Sequence, residues 1–168
     1  MITVINGNPR IDSRTGRLAV SFGRALAVRL DEAEPQVADL ATLGYRLLVA
    51  GDITRKMALT AIEQASTLVV ATPTYKGSYT GILKVLLDAL PHNGLAGKTA
   101  IPLVTAGTPD QAELAARRLS ELLSELGAAV HAPAFAIVES TLDDLDALAA
   151  DLTDQVAGVS ARVTSSAA

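Results

Sequence analysis

The chain has 168 residues, 49% of them hydrophobic but only 3% aromatic, so one domain of ordinary size is expected, with a core of Leu, Val, Ile and Ala. A formal net charge of −4 argues against a nucleic-acid binder, which usually shows a basic face. With no cysteine and only His92 and His131 as imidazoles, disulfides, thiolate nucleophiles and Cys-based metal sites are excluded, and a multi-histidine metal site within one chain is not expected.

Ile2 to Asn6 is a short apolar run ending in Gly7 and Pro9, the pattern of a buried strand. No basic region precedes it, and no apolar run reaches the ~18 residues needed to span a bilayer, so the cytoplasm is the expected location. Ser13 to Thr15 can cap a helix whose Leu18, Phe22, Leu26 and Leu30 recur every four residues as an apolar stripe. Gln36 to Leu40 reads as a second strand, residues 41–54 carry no clear pattern, and Arg55 to Gln64 reads as a helix. Leu68 to Thr72 is a third strand stopping at Pro73, followed by a loop from Thr74 to Tyr79 and a helix with Ile82, Leu83, Leu86, Leu87 and Leu90. Thr99 to Thr105 is a fourth strand, and the helix after it runs through Leu126 with Gly127 as its natural stop. Val130 to Val138 is a fifth strand, and Leu142 to about Ala157 a last helix, stopped at Gly158 and trailed by a loose tail over 160–168. Strands alternate with helices five times, with no repeat or linker. The pattern is α/β: a doubly wound five-stranded parallel sheet of order 2-1-3-4-5, helices on both faces, in one domain spanning 1–168.

In such sheets ligands sit beyond the carboxyl ends of the strands, so the loops after strands one, three and four share one rim. The first runs from Asn6 through Gly7, Asn8, Arg10 and Ser13 to Thr15. A helix N-terminus there favours a phosphate, Asn8, Ser13 and Thr15 add short donors, and Arg10 or Arg14 could supply charge. The loop matches neither the P-loop nor GxGxxG, and an ordinary capped βα turn would look much the same. The second, Pro73-Thr74-Tyr75-Lys76-Gly77-Ser78-Tyr79-Thr80-Gly81, concentrates two of the chain's three Tyr. Gly77 permits close backbone approach, the backbone around Lys76 to Ser78 offers amides, and Tyr75 or Tyr79 offers a flat neighbour for a planar heteroaromatic ring. Tyr rings packed in a subunit interface are the competing reading. The third, Val104 to Pro109, offers small residues at Thr105, Gly107 and Thr108, although Thr108 followed by Pro109 also reads as a plain helix start.

These loops resemble those of the NAD(P)H-dependent FMN reductase family, in particular the flavin reductases that serve sulfonate and EDTA monooxygenases. That family carries an Ala-Thr-Pro-x-Tyr-Lys-x-x-Tyr-x-Gly-x-Leu-Lys-x-x-Leu-Asp segment, and this chain has Ala71-Thr72-Pro73-Thr74-Tyr75-Lys76-Gly77-Ser78-Tyr79-Thr80-Gly81-Ile82-Leu83-Lys84-Val85-Leu86-Leu87-Asp88. Leu95-Ala96-Gly97-Lys98 and Ile101-Pro102-Leu103 also fit, and the resemblance covers roughly residues 2–138. It implies a flavodoxin-like fold and hydride transfer from NADPH or NADH to N5 of FMN. Asn8, Ser13 and Thr15 would bind the phosphate, Pro73 to Ser78 would line the ring and ribityl chain, and Thr105, Gly107 and Thr108 would flank the ring. The helix from Thr80 to Leu90 would pack in a dimer or tetramer interface, and reduced FMN would either pass to a monooxygenase or reduce another acceptor. The chain departs from the family in having Asn6 and Asn8 where Ser is usual and Ala106 in place of a Gly. A Tyr inserted in the next helix of some monooxygenase-linked members has no counterpart in Leu114 to Arg118.

Because the flavin carries this chemistry, no catalytic side chain is obligatory, which agrees with a sequence offering no triad. His92 and His131 read as surface or packing residues, Asp143, Asp144 and Asp146 as a solvated helix start, and Lys76 as a partner for reduced flavin, an NADPH phosphate or another subunit. Competing functions are a quinone, azo-dye or chromate reductase with FMN kept bound, a flavodoxin-like electron carrier, and a non-flavin binding module. Arg10, Arg14 and Lys76 are candidate 2′-phosphate partners.

Overall fold

Side chains alternate along the strands between two helical layers. In a computed structural model, the backbone is described for residues 1–165 and side chains for residues 1–157. The strands are β1 (Ile2–Asn6), β2 (Gln36–Asp39), β3 (Thr67–Pro73), β4 (Thr99–Ala106), β5 (Ala129–Val130) and β6 (Phe135–Val138). The helices are α1 (Arg14–Arg29), α2 (Leu40–Leu43), α3 (Ile53–Gln64), α4 (Gly81–Leu87), α5 (Pro109–Glu125) and α6 (Leu145–Ser165), with 3-10 turns at Gly44–Leu48 and Glu139–Thr141. All pairings are parallel, in the order β2-β1-β3-β4-β5, with β6 also on β4. Ile2, Val4, Val69, Ala71, Ile101 and Leu103 face α1 and α6, packing on Phe22, Leu26 and Leu152. Ile5, Leu68, Val70, Ala100 and Val104 face the other way, toward Ile62, Leu86, Leu119 and Leu123 of α3, α4 and α5. Period-2 burial on both faces is what a doubly covered parallel sheet requires.

The sheet order is the one the alternation of elements predicts. The fifth strand is the main correction: it is not continuous over 130–138 but broken into β5 and β6, both on β4. The Lys98 carbonyl accepts from the Ala129 N–H and the Ala100 carbonyl from the His131 N–H. Two residues on, the same side of β4 presents Pro102, which has no N–H to offer, and the facing segment carries Pro133, which has none either. The ladder resumes at Leu103 against Phe135.

The helix limits differ too. The last helix starts at Leu145 rather than Leu142, and it continues through Gly158 to Ser165, past the expected stop and into the expected tail. An isolated glycine costs a helix only ~1 kcal/mol against alanine, too little to end one. Residues 166–168 of that tail lie outside the described residues. Leu30 leaves the stripe of α1: it is the C-cap residue and is exposed. The second strand ends at Asp39, one residue short of Leu40, because Asp39 accepts the Ala41 N–H and opens α2. The helix expected from Arg55 begins at Ile53, capped by Asp52. The one carrying Ile82 ends at Leu87, leaving Leu90 buried beyond it.

Candidate functional site

The carboxyl ends of β1, β3 and β4 deliver the three expected loops to one rim, and hydrogen bonds stitch them together. Thr80 Oγ1 donates to the Gly7 carbonyl at 2.5 Å, tying the second loop to the first. The same hydroxyl accepts the Leu83 N–H and so caps α4. Gly7 permits this approach: a Cβ there would lie 2.9 Å from Leu83 Cβ and 3.0 Å from the Ala71 carbonyl. The Thr74 N–H donates to the Thr105 carbonyl at 2.8 Å, tying the second loop to the end of β4. Thr15 and Thr105 pair hydroxyl to hydroxyl at 2.7 Å across the rim.

Asn8, Thr15 and Thr105 are therefore brought together, but inward. All three are buried, and the Asn8 carboxamide accepts the Arg10 N–H at 2.9 Å while donating to Thr15 Oγ1 at 3.3 Å. Ser13 is spent as the α1 cap, its hydroxyl accepting the Gly16 N–H. The first loop also carries backbone donors: a helix leaves its first-turn N–H groups without intrahelical partners, here at Arg14 and Thr15. Arg10 is exposed, whereas Arg14 is drawn away to Glu139, its guanidinium 3.2 Å from the carboxylate and 3.2 Å from the carbonyl.

In the second loop, Tyr75 and Ser78 exchange backbone hydrogen bonds around Lys76 and Gly77, whose φ angles of +54° and +75° make a tight two-residue turn. Arg118 of α5 holds this turn by donating to the Gly77 carbonyl at 2.6 Å. Tyr75 is 42% exposed on the rim, whereas Tyr79 packs on the core beside Ile82, which leaves Tyr75 as the ring available to a ligand. Pro73 is buried, Lys76 is exposed, and Gly77 and Ser78 are half-buried. The Thr74 hydroxyl is buried without a hydrogen-bond partner among the described residues. Gly107 and Thr108 are exposed, and Thr108 opens α5 through its backbone alone, its side chain making no cap bond.

A phosphate, a polyol chain and a flat ring would find free helix amides, an unpartnered hydroxyl and an exposed tyrosine on a glycine turn, so the residues present fit FMN. Sequence reasoning did not single out Asp39 or Arg118. Asp39 ends β2 beside the first loop, accepting from Asn6 Nδ2 at 3.1 Å, and burial holds its carboxyl above the usual range against that bond and the one from Ala41. Its position at a strand's carboxyl end was the available signal. Arg118 had none, since its partner lies 41 residues away. The acidic residues Asp143, Asp144 and Asp146 are exposed, and among the described residues no cluster of potential ligands could hold a metal ion.

The family described as NADPH-dependent FMN reductase matches residues 1–142. The chain belongs to this family. It is 32% identical over 130 residues to an NADH-dependent FMN reductase, SfnF, of Pseudomonas putida, covering 73% of this chain and 69% of that one. It is also 55% identical over 47 residues to an FMN reductase (NADPH) of Escherichia coli, a match spanning 28% of this chain and 25% of that protein. Among solved structures, an NADH:FMN oxidoreductase in its apo form superposes with a TM-score of 0.81 at 33% identity, over 92% of this chain and 87% of that one. A flavodoxin from an archaeon, 16% identical over 93% of this chain and 98% of that one with a TM-score of 0.60, shares the fold.

Proposed function

We propose that the protein reduces FMN with NADPH or NADH, and that the three stitched loops form its FMN site. The observation that carries the assignment is the rim itself: loops from β1, β3 and β4 locked together through Thr15, Thr74, Thr80 and Thr105. The first-turn amides of α1 and the loop from Asn8 to Thr15 would take the phosphate, with the exposed Arg10 supplying charge. Pro73 to Ser78 would line the ring and ribityl chain, and Thr105, Gly107 and Thr108 would flank the ring edge. FMN would supply the hydride acceptor, and this chain's residues would hold it. The test is NADPH and NADH oxidation by the purified protein with and without added FMN. Strong stimulation by FMN is expected, and no stimulation together with no FMN binding would defeat the proposal. Turnover that requires a quinone while free FMN is inert as a substrate would identify a quinone reductase that keeps its flavin.

A cytoplasmic location, a single domain and delivery of reduced FMN to a flavin-dependent monooxygenase belong to the same proposal; among the described residues no helix is long and apolar enough to cross a membrane. Assembly as a homodimer or tetramer is proposed through the surface around α4. Leu83, Leu86 and Leu87 of α4 face the core, but the neighbouring 3-10 turn and the start of α3 expose Tyr45, Leu48 and Ile53 at 75%, 74% and 67%. Exposed apolar side chains on neighbouring elements favour a protein contact. A Leu48→Asp, Ile53→Asp variant should sediment as a smaller species than the wild type. An unchanged mass would exclude this surface.

A further inference from the structure

The end of β2 reaches the first loop through two asparagines. Asp39 accepts from Asn6 Nδ2 at 3.1 Å and from the Ala41 N–H at 3.0 Å. Asn6 Oδ1 accepts the Asn8 N–H at 3.1 Å, and the Asn8 carboxamide goes on to the Arg10 N–H and the Thr15 hydroxyl. Asn6 and Asn8 are 3% and 6% exposed, so neither side chain exchanges partners freely with water. Asn6 is also wedged in place, because a Cβ on Gly16 would stand 2.3 Å from Asn6 Nδ2.

A carboxamide has a donor end and an acceptor end of nearly the same shape. Which end faces the loop is decided by what waits at the other. An ionised carboxylate only accepts, so Asp39 takes the NH₂ of Asn6 and turns Oδ1 toward the Asn8 N–H. Without that acceptor, the carboxamide loses one of the two bonds that fix its orientation, and a flip would set a donor against the Asn8 N–H. The register of the loop from Asn8 to Thr15 depends on this choice, and so does the aim of the amides proposed to hold phosphate.

We infer that Asp39 is a positioning residue for phosphate recognition, acting through Asn6 and Asn8 without touching the ligand, and that it sets the preference for FMN over riboflavin, the same flavin without its phosphate. The inference rests on the proposed FMN site. Its test separates phosphate from ring. The apo protein is titrated with FMN and with riboflavin, followed by flavin fluorescence. Asp39→Ala should raise the Kd for FMN about tenfold while the Kd for riboflavin stays within about twofold, the scale of losing one well-placed charged hydrogen bond. Asp39→Asn, whose Oδ1 still accepts from Asn6, should keep most of the FMN affinity. Asp39 also opens α2, so Asn6→Ala is the second variant: it leaves the bond to Ala41 in place, severs the relay alone, and should show the same loss confined to FMN. Equal losses for both flavins in these variants, unchanged or tightened FMN binding, or an Asp39→Asn protein as impaired as Asp39→Ala would overturn the inference while leaving the FMN site standing. A wild-type protein that binds neither flavin would overturn the site, and the inference with it.

Discussion

Gly16 shows how much of this rim is decided by single atoms. In an exposed helix interior, Gly→Ala usually stabilises by about 0.5–1 kcal/mol. Here the added methyl would meet the Asn6 carboxamide at 2.3 Å and the Ser13 hydroxyl at 3.1 Å. Overpacking a closed site costs about 1–3 kcal/mol, so Gly16→Ala should destabilise. Asn6→Ser shortens the wedge, and the double variant should recover much of the loss. A denaturant-based double-mutant cycle reads that coupling, and additive effects would contradict it. Tyr75 is the complementary case, a ring held out on a turn. Tyr75→Ala should weaken FMN binding by about 0.5–1.5 kcal/mol with little change in stability, and unchanged affinity would remove Tyr75 from the site. At this scale the sequence was readable for residue type and not for direction. Asn8, Ser13, Thr15 and Thr105 were visible as small polar residues at a strand end or in the loop and helix start that follow one. That Thr15 and Thr105 would spend their hydroxyls on each other across 90 residues was not, because periodicity reports only neighbours along the chain.

At the start of α4, one side chain makes two bonds. Thr80 caps it and also anchors the Gly7 carbonyl, and it is 2% exposed. Thr80→Ala loses an N-cap and strands a buried carbonyl, at a cost of about 1–3 kcal/mol, whereas Thr80→Ser should keep both bonds. Thermal melts of the two variants make the comparison, and an Ala variant as stable as the Ser variant would mean that water takes over both partners. The elements themselves were legible wherever one rule acted alone: apolar runs for β1, β3 and β4, a four-residue stripe for α1. They were misread where rules competed. The run from Val130 to Val138 has strand composition, but Pro102 on the facing strand breaks the ladder, and only the pairing reveals that. Gly158 reads as a stop although a helix tolerates one glycine. The stretch 41–54 holds α2, a 3-10 turn and the capped start of α3, each too short to establish a period.

On the scale of the whole molecule, the two faces of the sheet bury separate cores, and the rim belongs to neither. The gap between β5 and β6 is the place where the sheet is incomplete, and His131 occupies it. Its ring lies edge-on to Phe135 with centroids 5.4 Å apart, and both ring nitrogens are buried without a hydrogen-bond partner among the described residues. Burial holds its pKa below the ordinary 6.5. The unfolded chain therefore takes up a proton at this site before the folded protein does. Stability conferred by the neutral ring is fully present above pH 6.5, and it falls as the pH drops from there through the folded-state pKa. Asp39 shifts in the opposite sense for a carboxylate, its protonated form favoured by folding, so total acid sensitivity mixes several groups. Comparing wild type with His131→Leu isolates the histidine, since the other groups are common to both. The wild-type melting temperature should decline more steeply than the variant's as the pH is lowered through 6.5, with the two curves parallel above it. Curves that stay parallel throughout would mean that His131 takes up its proton equally well in both states, with the gap beside β4 open enough to hydrate the charged ring.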